Sequence, residues 1–176
     1  AVAAMKEELA VNGFKELKEN EKWQVTRGGR YLVTRNESAL IAFTIPEQDM
    51  RGMRILATHS DSPSFKIKEN PEMEAEGHYI KLNVEKYGGM LCAPWFDRPL
   101  SVAGRVVVKD EEKGGMRSVL VNLDRDLVMI PSLAIHMNRE VNDGYKYNAQ
   151  KDMLPLYGDI QAKGSFMKKV AEAAGV

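Results

Sequence analysis

A single cysteine, Cys92, in 176 residues leaves no partner for an intramolecular disulfide and excludes a multi-cysteine zinc site. That usage fits a reducing compartment, and a cytoplasmic protein is expected. Neither sign of charge is in excess, because 25 Lys and Arg face 25 Asp and Glu. Non-specific binding to nucleic acid or to an anionic membrane needs a basic surplus, so neither partner is expected. No apolar run approaches a membrane span, and no signal peptide is visible. There are three histidines but no His-Glu-x-x-His pair, no phosphate-cradling glycine loop and no serine nucleophile elbow. Internal repeats and low-complexity tracts are missing too. What is there is globular: 44% hydrophobic and 28% charged residues, long enough to bury a sizeable core.

Val2, Met5 and Leu9 at helical spacing predict an amphipathic helix over residues 1–10, stopped by Asn12-Gly13. That helix opens without a capping residue, so further residues before Ala1 are expected. Trp23–Val25 and Tyr31–Val33 flank the turn signal Arg27-Gly28-Gly29-Arg30 and predict a hairpin. Ala39–Phe43 predicts a buried strand closed by Pro46. Ile55-Leu56-Ala57 predicts a third strand, buried on both faces. One helix laid against a mixed sheet is the expected N-terminal piece.

Lys68–Gly77 is polar, acidic and punctuated by Pro and Gly, and it reads as a connector to a new module. Beyond it, Ile80, Leu82 and Val84 alternate with polar residues. Val102–Val108 predicts a long strand, Glu111–Gly115 a hairpin turn and Val119–Val121 its return. Leu127–Ile135 is an apolar run broken by Pro131. A final helix is expected from Ser165, its N-cap, to Ala174, with Phe166, Val170 and Ala173 on one face and Gly175 as its stop. The fold class expected is α/β with a β-rich second module.

Candidate chemistry begins at His59 and Asp61, two residues apart at the end of the Ile55 run. On an extended strand both side chains point to one side. Two readings fit: a zinc ligand whose second ring nitrogen is oriented by the carboxylate, or a strand-end histidine satisfied by its neighbour. His78 reads as a solvated loop residue, and His136, closing the run from Ile130, as a histidine packed at a strand end. Glu7-Glu8 and Glu111-Glu112 read as surface charge, since a base or ligand must converge on a cleft. Asp97-Arg98, beside Trp95 and Phe96, reads as a carboxylate–guanidinium pair that pins a turn.

Taken in order, Arg30-Tyr31, Thr34–Phe43, Thr58–Pro63, Tyr87-Gly88-Gly89, Trp95–Leu100, Ala103–Val106 and Ile130–Arg139 resemble the aspartyl aminopeptidase family of dinuclear zinc metallopeptidases. The resemblance runs along nearly the whole chain. It implies a two-domain subunit, with residues 1–78 the first part of an α/β catalytic domain and residues 79–176 an inserted β-rich dimerisation domain. It implies dimers that assemble into tetrahedral dodecamers, and peptide substrates that lose an acidic or neutral N-terminal residue. It implies two zinc ions, with other divalent metals possible. His59 would then be a metal ligand and Asp61 the carboxylate that orients it. His136 would lie on a loop reaching a neighbouring subunit's active site, to hold substrate or the developing oxyanion. Family members are longer, and their remaining ligands and general base fall beyond Val176. The chain is therefore expected to be an N-terminal fragment, inactive alone. The alternative is a non-catalytic β-rich oligomerisation or regulatory module.

Overall fold

The computed structural model describes every residue except Lys113, which lies within the predicted Glu111–Gly115 turn. Two compact units form, Ala1–Ser62 and Pro63–Val176.

In the first unit, helix α1 (Val2–Val11) precedes strands β1 (Lys15–Leu17), β2 (Arg30–Arg35) and β3 (Ala39–Thr44). The sheet order is β1-β2-β3, with β1 parallel and β3 antiparallel to β2. A helix and a mixed sheet form as expected, and α1 touches β2. The expected amphipathic stripe does not hold: of Val2, Met5 and Leu9 only Val2 is buried, Leu9 is half-buried and Met5 is exposed. Val2, Tyr31, Leu32 and Val33 are the unit's buried apolar residues. The predicted Trp23–Val25 strand does not form. Trp23 instead donates its indole N–H to the Lys18 carbonyl at 2.8 Å, and the Thr26 N–H is taken by the Tyr31 hydroxyl at 2.9 Å rather than by a ladder. The central strand β2 already has partners on both sides.

Two further expectations fail in this unit. Strand β3 forms, but it is an edge strand and Ile41 is exposed rather than buried. Residues 45–63 carry no regular structure, so Ile55-Leu56-Ala57 is not a strand, and Leu56 is 96% exposed. A doubly buried strand needs neighbours on both edges and cover on both faces. No described strand pairs with this run.

The second unit is a five-stranded sheet in the order β4-β5-β10-β9-β6, with a separate hairpin and a helix. The strands are β4 (Ser64–Ala75), β5 (Tyr79–Tyr87), β6 (Pro99–Leu100), β7 (Ala103–Lys109), β8 (Met116–Asn122), β9 (Val128–Met129) and β10 (Leu156–Asp159). Helix α2 spans Phe166–Ala174. The predicted connector is wrong: Lys68–Ala75 is the larger, C-terminal part of the 12-residue β4, and Glu76-Gly77-His78 is the loop that returns it into β5. Glu76 and Gly77 both adopt positive φ, the twist a tight hairpin needs. The Pro and acidic residues that mimicked a linker belong to an edge strand, and Pro71 sits where the β4–β5 register shifts. The break between compact units falls at Ser62/Pro63, upstream of the Lys68–Gly77 stretch whose composition reads as a connector.

The alternation on β5 is borne out, with Ile80, Leu82 and Val84 all at 2% exposure or less. Leu82 and Val84 pack with Val128, Leu154, Phe166 and Val170 to form the core of this unit. Helix α2 buries Phe166, Val170 and Ala174, so Ala174 and not Ala173 faces inward, one full turn after Val170. Gly175 stops the helix in the left-handed conformation, as expected.

Candidate functional site

His59 and Asp61 do meet, but in a loop and not on a strand. The ring Nδ1 lies 2.9 Å from the Asp61 carbonyl oxygen and 3.1 Å from its Oδ1. Two oxygens against Nδ1 place the proton of a neutral imidazole there and leave the Nε2 lone pair available. That is the tautomer a histidine uses when it binds a metal through Nε2. The side chain of His59 is 79% exposed. The loop is fastened by Ser60, whose hydroxyl donates to the Ser38 carbonyl at 3.2 Å, beside the turn between β2 and β3.

A zinc site needs three or four such donors in tetrahedral array. Among the described residues no group of three or more His, Cys, Asp and Glu side chains converges. The His59–Asp61 pair therefore fits one position of a zinc centre and does not fit a closed site. No catalytic step is assigned to zinc on this chain alone.

His136 belongs to a different setting, in the second unit. It sits in an exposed turn closed by the Met137 N–H on the Ala134 carbonyl at 2.8 Å, not packed at a strand end. The turn grows from a fixed base. Ile130 is fully buried, its carbonyl accepts the Asp97 N–H at 2.9 Å, and the Asp97 carboxylate takes both the N–H of Ser132 at 2.9 Å and its hydroxyl at 2.6 Å. Asp97 thus pins a turn as expected, but the partner is Ser132 and not Arg98, whose guanidinium donates to the Pro94 carbonyl instead. The Ser132 hydroxyl and, second, its backbone N–H hold the Asp97 carboxyl below the usual carboxylate range. On the return leg, Gln150 donates to the Val84 carbonyl at 3.0 Å and accepts from Lys68 at 3.0 Å. Sequence inspection had missed Ser132 and Gln150 because their partners are 35 and 66 residues away.

The remaining candidates fall out. His78 is exposed in the β4–β5 loop, and both Glu-Glu pairs are exposed. An apolar hollow of about 640 Å³ in the second unit is walled by core residues including Phe65, Leu82, Val106 and Phe166. His136 does not line it.

The chain matches the family model described as Aminopeptidase I zinc metalloprotease (M18) over residues 1–173. It belongs to the M18 family. The curated Probable M18 family aminopeptidase 2 of Clostridium acetobutylicum is 48% identical over 181 residues, covering 99% of this chain and 42% of that protein. Its namesake in Stutzerimonas stutzeri is 42% identical, covering 94% of this chain and 38% of that one. Among solved structures, the cryo-EM structure of the Ape4 and Nbr1 complex superposes with a TM-score of 0.83 at 35% identity, over 99% of this chain and 36% of that chain. The mApe1 dodecamer of S. cerevisiae superposes at 0.72 and 26% identity, over 99% of this chain and 40% of its own. This M18 chain spans about two fifths of the length of the curated relatives it matches. The α/β class expected from the sequence is the class of these M18 structures, with sheets dominating here.

Proposed function

We propose that this M18 chain is the N-terminal part of a cytoplasmic zinc aminopeptidase that removes an acidic or neutral N-terminal residue from peptides. The observation that carries it is the His59–Asp61 pair, with Nδ1 satisfied and Nε2 without a partner among the described residues. In the intact enzyme His59 Nε2 occupies one ligand position of a two-zinc centre, and Asp61 fixes the ring's tautomer and direction. When bound, such ions supply carbonyl polarisation and an activated water. The chain's own contribution is to present one donor and hold it still.

His136, in this proposal, is presented by its pinned turn to donate a hydrogen bond to substrate or to the oxyanion at a neighbouring subunit's site. Self-association is assigned to the second unit. The outer face of the β7–β8 hairpin supports this, since Val107, Met116 and Leu120 are each more than 60% exposed there. An M18 relative of known structure is itself a dodecamer.

The 176-residue chain by itself should neither hydrolyse aspartyl, glutamyl or leucyl chromogenic peptides nor retain zinc through dialysis. One imidazole leaves an ion mostly hydrated. Chelator-sensitive turnover, or stoichiometric zinc after dialysis, would contradict the proposal and require a complete site within these residues.

A further inference from the structure

We infer that Asp97 is a positioning residue for His136, acting through a two-bond latch on Ser132. The inference rests on the proposed role of His136 and adds the device that aims it. Residues 131–152 contain no strand and a single short 3-10 helix at Val141–Asp143, so this segment has little internal stiffness. Its departure point is fixed nonetheless. Phe96 bridges to Ile130 in parallel fashion, the Asp97 N–H bonds the Ile130 carbonyl, and the carboxylate then captures the backbone and hydroxyl of Ser132. Three successive residues are thereby held, Ile130 by burial and Ser132 by charge-assisted bonds, with Pro131 restricting φ between them.

His136 lies four residues further on, at most about 14 Å of chain from Ser132. His136 sits within the Ala134–Met137 turn, closed by the Met137 N–H on the Ala134 carbonyl. Phe96 adds a second hold, its ring packing on Tyr147 of the returning leg at 5.2 Å. The segment from Phe96 to Asp97 therefore grips both ends of the loop that carries His136. Asp97 itself adopts φ +53°, a left-handed conformation that Asp, Asn and Gly tolerate and most side chains resist. That backbone turn aims the carboxylate at Ser132. Reacting groups must be placed to within about an ångström, and a misplacement of that size costs on the order of 10²-fold in rate.

The test uses the full-length enzyme. Asp97→Gly deletes the latch and keeps the left-handed freedom. Asp97→Asn keeps that freedom, retains an acceptor for the Ser132 N–H and offers an amide to its hydroxyl. Asp97→Gly should lower kcat by roughly tenfold to a hundredfold with little change in KM, and Asp97→Asn should restore most of the rate. In a His136→Phe background, Asp97→Gly should cost nothing more, because the group it aims is gone. Wild-type kcat in Asp97→Gly, with His136→Phe impaired, overturns the latch and leaves the His136 role standing. Multiplying losses in the double variant also overturn it, since Asp97 would then act elsewhere. Full activity in His136→Phe removes the role on which the inference rests. If Asp97→Gly fails to assemble by light scattering, Ser132→Ala, which deletes one bond, decides. A lowered kcat that vanishes in the His136→Phe background upholds the latch, and an unchanged kcat overturns it.

Discussion

Glu72 on β4 caps helix α2 across 94 residues of sequence: its Oε1 accepts the Phe166 N–H at 2.8 Å, and its other oxygen takes the N–H of Gly164. Ser165, the cap expected from sequence, makes no capping bond and spends its hydroxyl on Tyr157 at 2.7 Å. A carboxylate from the sheet thus meets the positive end of the helix that closes the core.

Glu72→Ala should cost about 1–2 kcal/mol, the scale of a lost cap, read as a fall of a few degrees in Tm by circular dichroism. Glu72→Gln, which keeps an acceptor, should lose less. A Ser165→Ala variant as damaging as Glu72→Ala would contradict this assignment, unless its Tyr157 partner accounts for the loss in a double-mutant cycle.

Acidification should release the Asp97 latch. The folded state favours the ionised carboxylate, so its contribution is fully present above the unfolded aspartate value of about 3.9. It is lost as pH falls through the lower folded value. A carbon-detected NMR titration should give Asp97 a midpoint below 3.9, with the Ser132 amide shift following the same curve. A midpoint at or above that value would show that the two bonds do not form.

Legibility in the sequence tracked locality. The β5 alternation and the Phe166/Val170 stripe were readable because a strand or helix periodicity lies within a few residues. The His59–Asp61 pair was readable too, since two residues suffice to bring the groups together even though the strand supposed to carry them is absent. Asp97–Ser132 and Glu72–Phe166 were not, because nothing near either carboxylate in sequence names its partner. Ile55-Leu56-Ala57 misled for a different reason. Its composition describes an environment with sheet neighbours on both sides, and no described residues of this chain provide one. Lys68–Gly77 misled because an edge strand and a linker carry the same polar, Pro-containing composition.

The β4–β5 pairing sets the minimal folding unit of the second half. A chain of residues 63–176 should fold cooperatively, while residues 79–176, stripped of β4, should not. Without β4, the edge of β5 and the buried Leu82 and Val84 lose their neighbour, and α2 loses its cap. Urea melts followed by circular dichroism would distinguish them. A sharp transition of equal midpoint for the shorter chain would contradict the boundary at Ser62/Pro63.

Elemental analysis of the full-length enzyme and its His59→Ala variant, dialysed side by side, tests the central claim most directly. If His59 Nε2 holds a zinc ion, the variant should lose metal to substoichiometric levels at one position together with its peptidase activity. Asp61→Ala, which deletes the side-chain acceptor and leaves only the backbone carbonyl against Nδ1, should bind zinc roughly 10-fold more weakly, the low end for a weakened orienting contact. Wild-type zinc content with full turnover in His59→Ala would contradict the account and return His59 to a loop histidine satisfied by its neighbour.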